Sequence, residues 1–256
     1  MSRRNSSPRP PAAAPPQDLR LYGHHAVAAA LANPDRPCRR LLATSNALER
    51  LGSLARRDGL EVQAAQPREL DRLVAQDAVH QGVVLETEAL PPRRLEQVLE
   101  SLPAQALLLA VDQVEDPRNL GALLRSAAAF GVAAVLLPER RSAVMGAVCA
   151  KAASGALDIV PIVELTNLAR TLEGLKKEGF WSLGLDAAAA TTLDAAPRHD
   201  RAVLVLGAEG KGLRRLVAES CDLSVSLPIS PRMESLNVAV AAGIALYVLA
   251  PAGSRA

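Results

Sequence analysis

The chain has 256 residues, about one or two domains' worth, and its 49% hydrophobic content sets it apart from chains that stay unfolded. Aromatic residues make up only 2%, too few for the stacking platforms on which many single-strand binders seat their bases, so that mode is disfavoured. Formal net charge is +2, so a polyanionic partner has to be met by local patches, and among the 29 basic residues only Lys151, Lys176, Lys177 and Lys211 are lysines. Forked guanidinium groups therefore dominate the cationic surface.

Cys38, Cys149 and Cys221 are far apart, with no second Cys or His two to four residues from any of them. Neither a disulfide framework nor a zinc site is indicated, no metal is expected, and a reducing, cytoplasmic compartment fits. The longest strongly apolar run, Val238 to Ala250, is shorter than the ~17 residues needed to span a bilayer. The N-terminus lacks the apolar stretch of a secretory signal, and its prolines forbid an amphipathic helix. Residues 1–18 are expected to form a disordered, mildly basic tail.

From Leu19 the pattern is α/β. A short run at Leu19 to Tyr22 precedes a helical stretch at Ala26 to Leu31 and an apolar Leu41 to Ala43. Leu48, Leu51 and Leu54 predict a helix over Asn46 to Arg57 with Ser45 as its cap. Strands at Glu61 to Ala64 and Gly82 to Leu85 flank a helix at Arg68 to Val74, completing a small domain over 19–87. Prolines bracket a short helix within 88–104, read as a linker. Over 105–256, six apolar runs alternate with helical segments: Leu107 to Val111, Ala133 to Leu137, Ile159 to Val163, Trp181 to Leu185, Ala202 to Leu206 and Leu223 to Leu227. That alternation predicts a parallel sheet with helices on both faces. Ligands of such sheets sit beyond the strands' carboxyl ends, which directs attention to the loops after Val111, Leu206 and Leu227.

The first loop carries Asn119, placed to cap a helix, and Arg125 about 9 Å further along its axis. Arg125 stands among apolar and small residues, so its charge wants an anionic partner. The second loop, Leu206-Gly-Ala-Glu209-Gly-Lys-Gly212, matches neither a P-loop nor a dinucleotide fingerprint. What remains is a backbone-exposing turn with one carboxylate. The third, Leu227-Pro-Ile-Ser-Pro-Arg-Met-Glu-Ser235-Leu-Asn237-Val, leads into a helix over Val238 to Leu249 that is apolar on all sides. Such a helix must be buried in a core or against a second subunit.

Together, N-x-G-x-x-x-R at 119–125, L-G-x-E-G-x-G at 206–212 and the Pro-containing loop closing in S-L-N-V at 235–238 resemble the three motifs of the SpoU family of RNA ribose 2'-O-methyltransferases. The segments Tyr22-Gly-His-His-Ala-Val27 and His80-Gln-Gly-Val-Val84 are similar to the small ribosomal-protein-like substrate-binding domain of its 23S rRNA guanosine branch. The resemblance implies a deep trefoil knot in the C-terminal domain, S-adenosylmethionine held there by Gly207, Leu227 and Leu236, and catalytic roles for Asn119, Arg125, Glu209, Ser235 and Asn237. Arg125 would activate the ribose hydroxyl, oriented by Glu209, and converge with the methyl donor on one ribose oxygen. It also implies an RNA partner and a homodimer. Two departures stand out: Pro228-Ile-Ser-Pro231 replaces the branch's usual P-M-x-G, and Ala239 replaces a common serine.

Overall fold

The computed structural model describes residues 18–139 and 145–250; apart from Asp18, the tail expected over 1–18 lies outside them. Two sheets organise the chain. In the smaller, β1 (Asp18–Tyr22), β2 (Cys38–Ala43), β3 (Glu61–Ala64) and β4 (Val83–Glu88) lie in the order β1-β4-β2-β3. β4 is antiparallel to both β1 and β2, while β2 and β3 run parallel. α1 (His24–Ala32) and α2 (Ser45–Leu51) pack Val27, Ala30, Ala47 and Leu51 against Leu41 and Leu85. α3 (Pro67–Asp71) closes the other face with Leu70 on Tyr22 and Val84.

The helix expected over Asn46 to Arg57 is shorter. It is capped by Thr44 instead of Ser45, the Thr44 side chain accepting from the Ala47 amide. It ends at Gly52, whose φ of +57° breaks the helix and hands the chain to a 3-10 turn over Gly52–Arg56. α3 begins with a capping box in which Gln66 and Glu69 bond each other's backbone amides.

The larger sheet holds β5 (Ala106–Val111), β6 (Ala134–Pro138), β7 (Ile162–Leu165), β8 (Trp181–Leu185), β9 (Arg201–Leu206) and β10 (Leu223–Val225), all parallel, in the order β10-β8-β9-β5-β6-β7. β5 is buried at every position, as a central strand covered on both faces must be. Its Leu107, Leu109 and Val111 face α5 (Pro117–Ala129), α6 (Ala147–Ala153) and α9 (Val238–Leu249). Ala106, Leu108 and Ala110 face α4 (Leu95–Glu100), α7 (Leu168–Lys177) and α8 (Arg215–Ser220). The segment read as a linker thus contains a helix whose Val98 is buried in this second core.

In the larger sheet two strands differ from expectation by more than one residue at an end. β7 starts at Ile162 instead of Ile159, because a 3-10 turn over Ala156–Asp158 intervenes and Pro161 has no amide to offer a ladder. β10 stops at Val225, since the Ser226 amide donates to the Thr191 carbonyl and its own carbonyl accepts from Leu193. No described helix is long and apolar enough to cross a membrane.

Candidate methyl-donor cleft

Asp116, not Asn119, caps α5: its carboxylate accepts from the Arg118 amide at 2.8 Å, with Pro117 as the first helical residue. Asn119 is therefore in the first turn with its side chain released to reach other loops. α5 lies very close to α6, and Gly121 permits this, since an added Cβ would sit 2.5 Å from the Cys149 carbonyl oxygen. That contact explains the glycine of N-x-G in packing terms.

The loop after β9 closes on itself. Ala208 and Gly212 exchange backbone hydrogen bonds of 3.0 and 2.9 Å, leaving Glu209, Gly210 and Lys211 at the tip. Gly210 and Gly212 take φ of +76° and +65°, which other residues reach only with strain. Gly207 is needed for space: a Cβ there would overlap the Gly212 carbonyl. In the third loop Pro231 takes the second place of a turn closed by the Met233 amide on the Ser230 carbonyl at 3.0 Å, a position that suits its fixed φ. Asn237 caps α9, its side-chain oxygen accepting from the Ala239 and Val240 amides at 2.9 and 3.3 Å. Alanine at 239 serves this cap through its backbone alone.

These loops meet. With its oxygen committed to the cap, Asn237 donates from Nδ2 to Oδ1 of Asn119 at 3.0 Å. Asn119 in turn donates from Nδ2 to Glu209 at 3.4 Å. One polar chain thus runs through all three motifs. Beside it, a cavity of about 390 Å³ is lined by Gly207, Glu209, Leu227, Ser235 and Leu236, with Leu185 and Asp186 from the end of β8. The β8 loop is absent from the sequence-derived set, although the rule that ligands sit beyond carboxyl ends of strands points to it equally.

A second feature missed in the sequence is Asp112, fully buried just after β5. Its carboxylate accepts from Arg214 Nε at 2.9 Å, from Nη2 at 2.7 Å and from the Arg214 amide at 3.2 Å, tying the first loop to the chain after the second. A carboxylate directly following a wholly apolar strand was the available signal.

Arg125 is the outlier. It is exposed on α5, forms no hydrogen bond or ion pair with any described residue and is not part of the cavity lining. Glu209, expected to orient it, is engaged by Asn119. Six helical residues carry Arg125 ~9 Å along the axis and about 240° around it from Asn119, so helix geometry separates them.

The apolar walls and tightly turned backbone of this cavity fit S-adenosylmethionine: leucines offer surface to an adenine, and the Gly207 turn keeps side chains out of the space. Towards the small sheet, Arg118 at the start of α5 lies close enough to Tyr22 to oppose the upward push that burial and then Asp77 give its phenol. Burial, Arg50 and His25 together hold His24 below its usual range.

Residues 106–247 match the model of the SpoU rRNA methylase family, and residues 20–93 match that of RNA 2'-O ribose methyltransferase substrate-binding domains. The chain is 40% identical over 235 residues to the 23S rRNA (guanosine-2'-O-)-methyltransferase RlmB of Pseudomonas putida, covering 89% of this chain and 94% of that protein. RlmB of Xanthomonas campestris is 40% identical over 238 residues, covering 90% and 95%. In fold, the SpoU methyltransferase AviRb from Streptomyces viridochromogenes, solved in complex with AdoMet, superposes with a TM-score of 0.77 at 23% identity, covering 91% of this chain and 89% of that one. With two family models matched in the order of its two sheets and near-full-length relatives at this identity, the chain belongs to the SpoU family of RNA methyltransferases.

Proposed function

We propose that this protein transfers a methyl group from S-adenosylmethionine to the ribose 2'-hydroxyl of a guanosine in 23S rRNA, as a cytoplasmic homodimer. The observation that carries the reading is the Asn237–Asn119–Glu209 chain at the edge of the cavity that Gly207, Leu227 and Leu236 line. The sulfonium of the cofactor supplies an already electrophilic methyl group. What the protein must add is alignment with the ribose oxygen and help in removing a proton from a hydroxyl that hardly ionises at neutral pH.

No histidine lies in the three loops, and a guanidinium has no lone pair to act as an ordinary base. Asn119, Ser235 and Asn237 would hold the ribose through hydrogen bonds, and Glu209 would fix the amide of Asn119. Arg125, exposed and without a hydrogen-bond or ion-pair partner among the described residues, would act through the RNA, holding a phosphate near the reacting sugar and stabilising the oxygen as negative charge develops. The trefoil knot implied by the motifs belongs to the same proposal, formed by the segments that line the cavity. The small sheet would bind the RNA, as its family match suggests.

The homodimer is supported by α9. Val238, Ala242, Ala245 and Leu246 are buried, while Val240, Ile244 and Tyr247 are 52%, 43% and 57% exposed along the opposite face. An apolar helix that buries one face and leaves the other in water suits a second copy.

Incubation with labelled S-adenosylmethionine and either 23S rRNA or tRNA tests the reading. Label on the ribose of a guanosine in 23S rRNA is expected; label confined to tRNA, or none, overturns it. Arg125→Ala should lower transfer by about 100-fold or more with cofactor affinity nearly unchanged, and lost cofactor binding would contradict its assigned role.

A further inference from the structure

The two sheets meet through α6 and the 3-10 turn that follows it. Ala150 of α6 is buried within the core of the small sheet, and Lys151 donates to the Gln81 side chain at 3.1 Å. Gly155, at φ +98°, lets the turn approach α1: a Cβ there would sit 2.7 Å from that of Ala29. At the centre of this junction lies an ion pair between Arg36 and Asp158, whose side chains are 2% and 3% exposed. Arg36 Nε donates to Asp158 Oδ1 at 2.5 Å, and its Nη1 donates to the Glu88 carbonyl at 2.8 Å. The same Asp158 oxygen accepts from Asn33 Nδ2 at 3.1 Å.

The segment that presents Arg36 is itself held. Arg57 donates to the carbonyls of Ala30, Leu31, Asn33, Pro34 and Arg36, gathering the end of α1 and the turn before β2 around one guanidinium. A buried ion pair adds little stability over apolar residues of similar volume, because desolvation offsets the attraction. It does set an angle, since the planar guanidinium of Arg36 donates from Nε to Asp158 and from Nη1 to the Glu88 carbonyl in fixed directions. From Asp158 a short path leads to the cleft: the turn continues α6, α6 touches α5 at Gly121, and Gly121 stands two residues from Asn119.

We infer that Arg36 and Asp158 are positioning residues for methyl transfer: their buried pair holds the RNA-binding sheet at one orientation to the methyl-donor cleft, so that RNA seated on the former presents its ribose to the latter. The inference rests on the RNA methyltransferase reading above. Neither residue touches the cavity at Gly207, and both act through the elements they join.

The test uses full-length protein carrying Asp158→Asn or, as a milder change, Arg36→Lys. In each, cofactor titration should still show one site per chain with affinity within about two-fold of the parent. Small-angle scattering should show a larger radius of gyration, and kcat on 23S rRNA should fall by about 100-fold, the effect of misplacing reacting groups by about an ångström. Mere loss of folded protein would instead lower cofactor stoichiometry in step with kcat. That result in both variants, or a kcat within about two-fold of the parent in both, overturns the inference. A parent that methylates no RNA overturns the underlying reading instead, and an unchanged radius of gyration in both variants then overturns the coupling of the two sheets independently.

Discussion

Asn237 and Asn119, 118 residues apart in sequence, are joined by a 3.0 Å hydrogen bond whose direction is set by a helix cap. Because the Asn237 oxygen accepts backbone amides of α9, only its nitrogen faces Asn119. Asn119 must then turn its own nitrogen to Glu209.

This arrangement separates stability from activity at one position. Asn237→Asp keeps the cap, since aspartate is as good a capping residue, but has no N–H for Asn119 and adds a negative charge near Glu209. Melting temperature should stay near the parent's while methyl transfer drops by about ten-fold or more. Asn237→Ala should lose activity and also ~1 kcal/mol of stability from the missing cap. Calorimetry beside a transfer assay distinguishes the two.

Gly207→Ala should impair the cavity directly. The added methyl overlaps the Gly212 carbonyl, which is backbone and cannot swing aside as a flexible side chain would. Forcing the loop open should cost about 1–3 kcal/mol and weaken cofactor affinity about ten-fold, as titration calorimetry would record.

Arg214→Gln should destabilise the protein more than its half-exposed side chain suggests. Asp112 beneath it is fully buried, and removing the guanidinium leaves that carboxylate without its charged partner. Because the outer end of the pair is screened by water, the loss should lie at or below the ~3 kcal/mol at which broken buried pairs begin. Urea denaturation would measure it.

Alkaline pH should loosen the fold through its cysteines. Burial pushes the Cys149 thiol from 9.0 up to about 12, and burial, then Asp222, pushes Cys221 up to about 12. Between these values an unfolded chain has released protons that the folded chain retains, so rising pH favours unfolding. The contribution is complete below pH 9 and is lost as pH climbs towards 12. The urea midpoint should therefore fall from pH 8 to pH 10.5, and Cys149→Ala should make that fall shallower.

Ile244→Arg should convert the proposed homodimer to a monomer without unfolding it, because Ile244 lies on the exposed face of α9, opposite Ala242, Ala245 and Leu246. Light scattering would report the mass, and an unchanged mass would remove the support that α9 gives to the homodimer.

Local sequence determined the elements and identified the loops. The short apolar runs of β5, β8 and β9 and the glycines at 207, 210 and 212 are signals carried by neighbouring residues, and the structure places strands and a closed turn there. Gly207, Leu227 and Leu236 line one cavity because all three lie beyond carboxyl ends of strands in a parallel sheet. Tertiary structure decided the partners. Asp116 precedes Pro117 and takes the cap expected of Asn119, freeing Asn119 for bonds to residues 90 and 118 positions away. Arg125, matched by spacing alone, is exposed on α5 and does not line the cavity. Asp112 with Arg214 and Arg36 with Asp158 are pairings across more than 100 residues, and a side chain's distant neighbour is set by how sheets and helices stack, which no local pattern encodes.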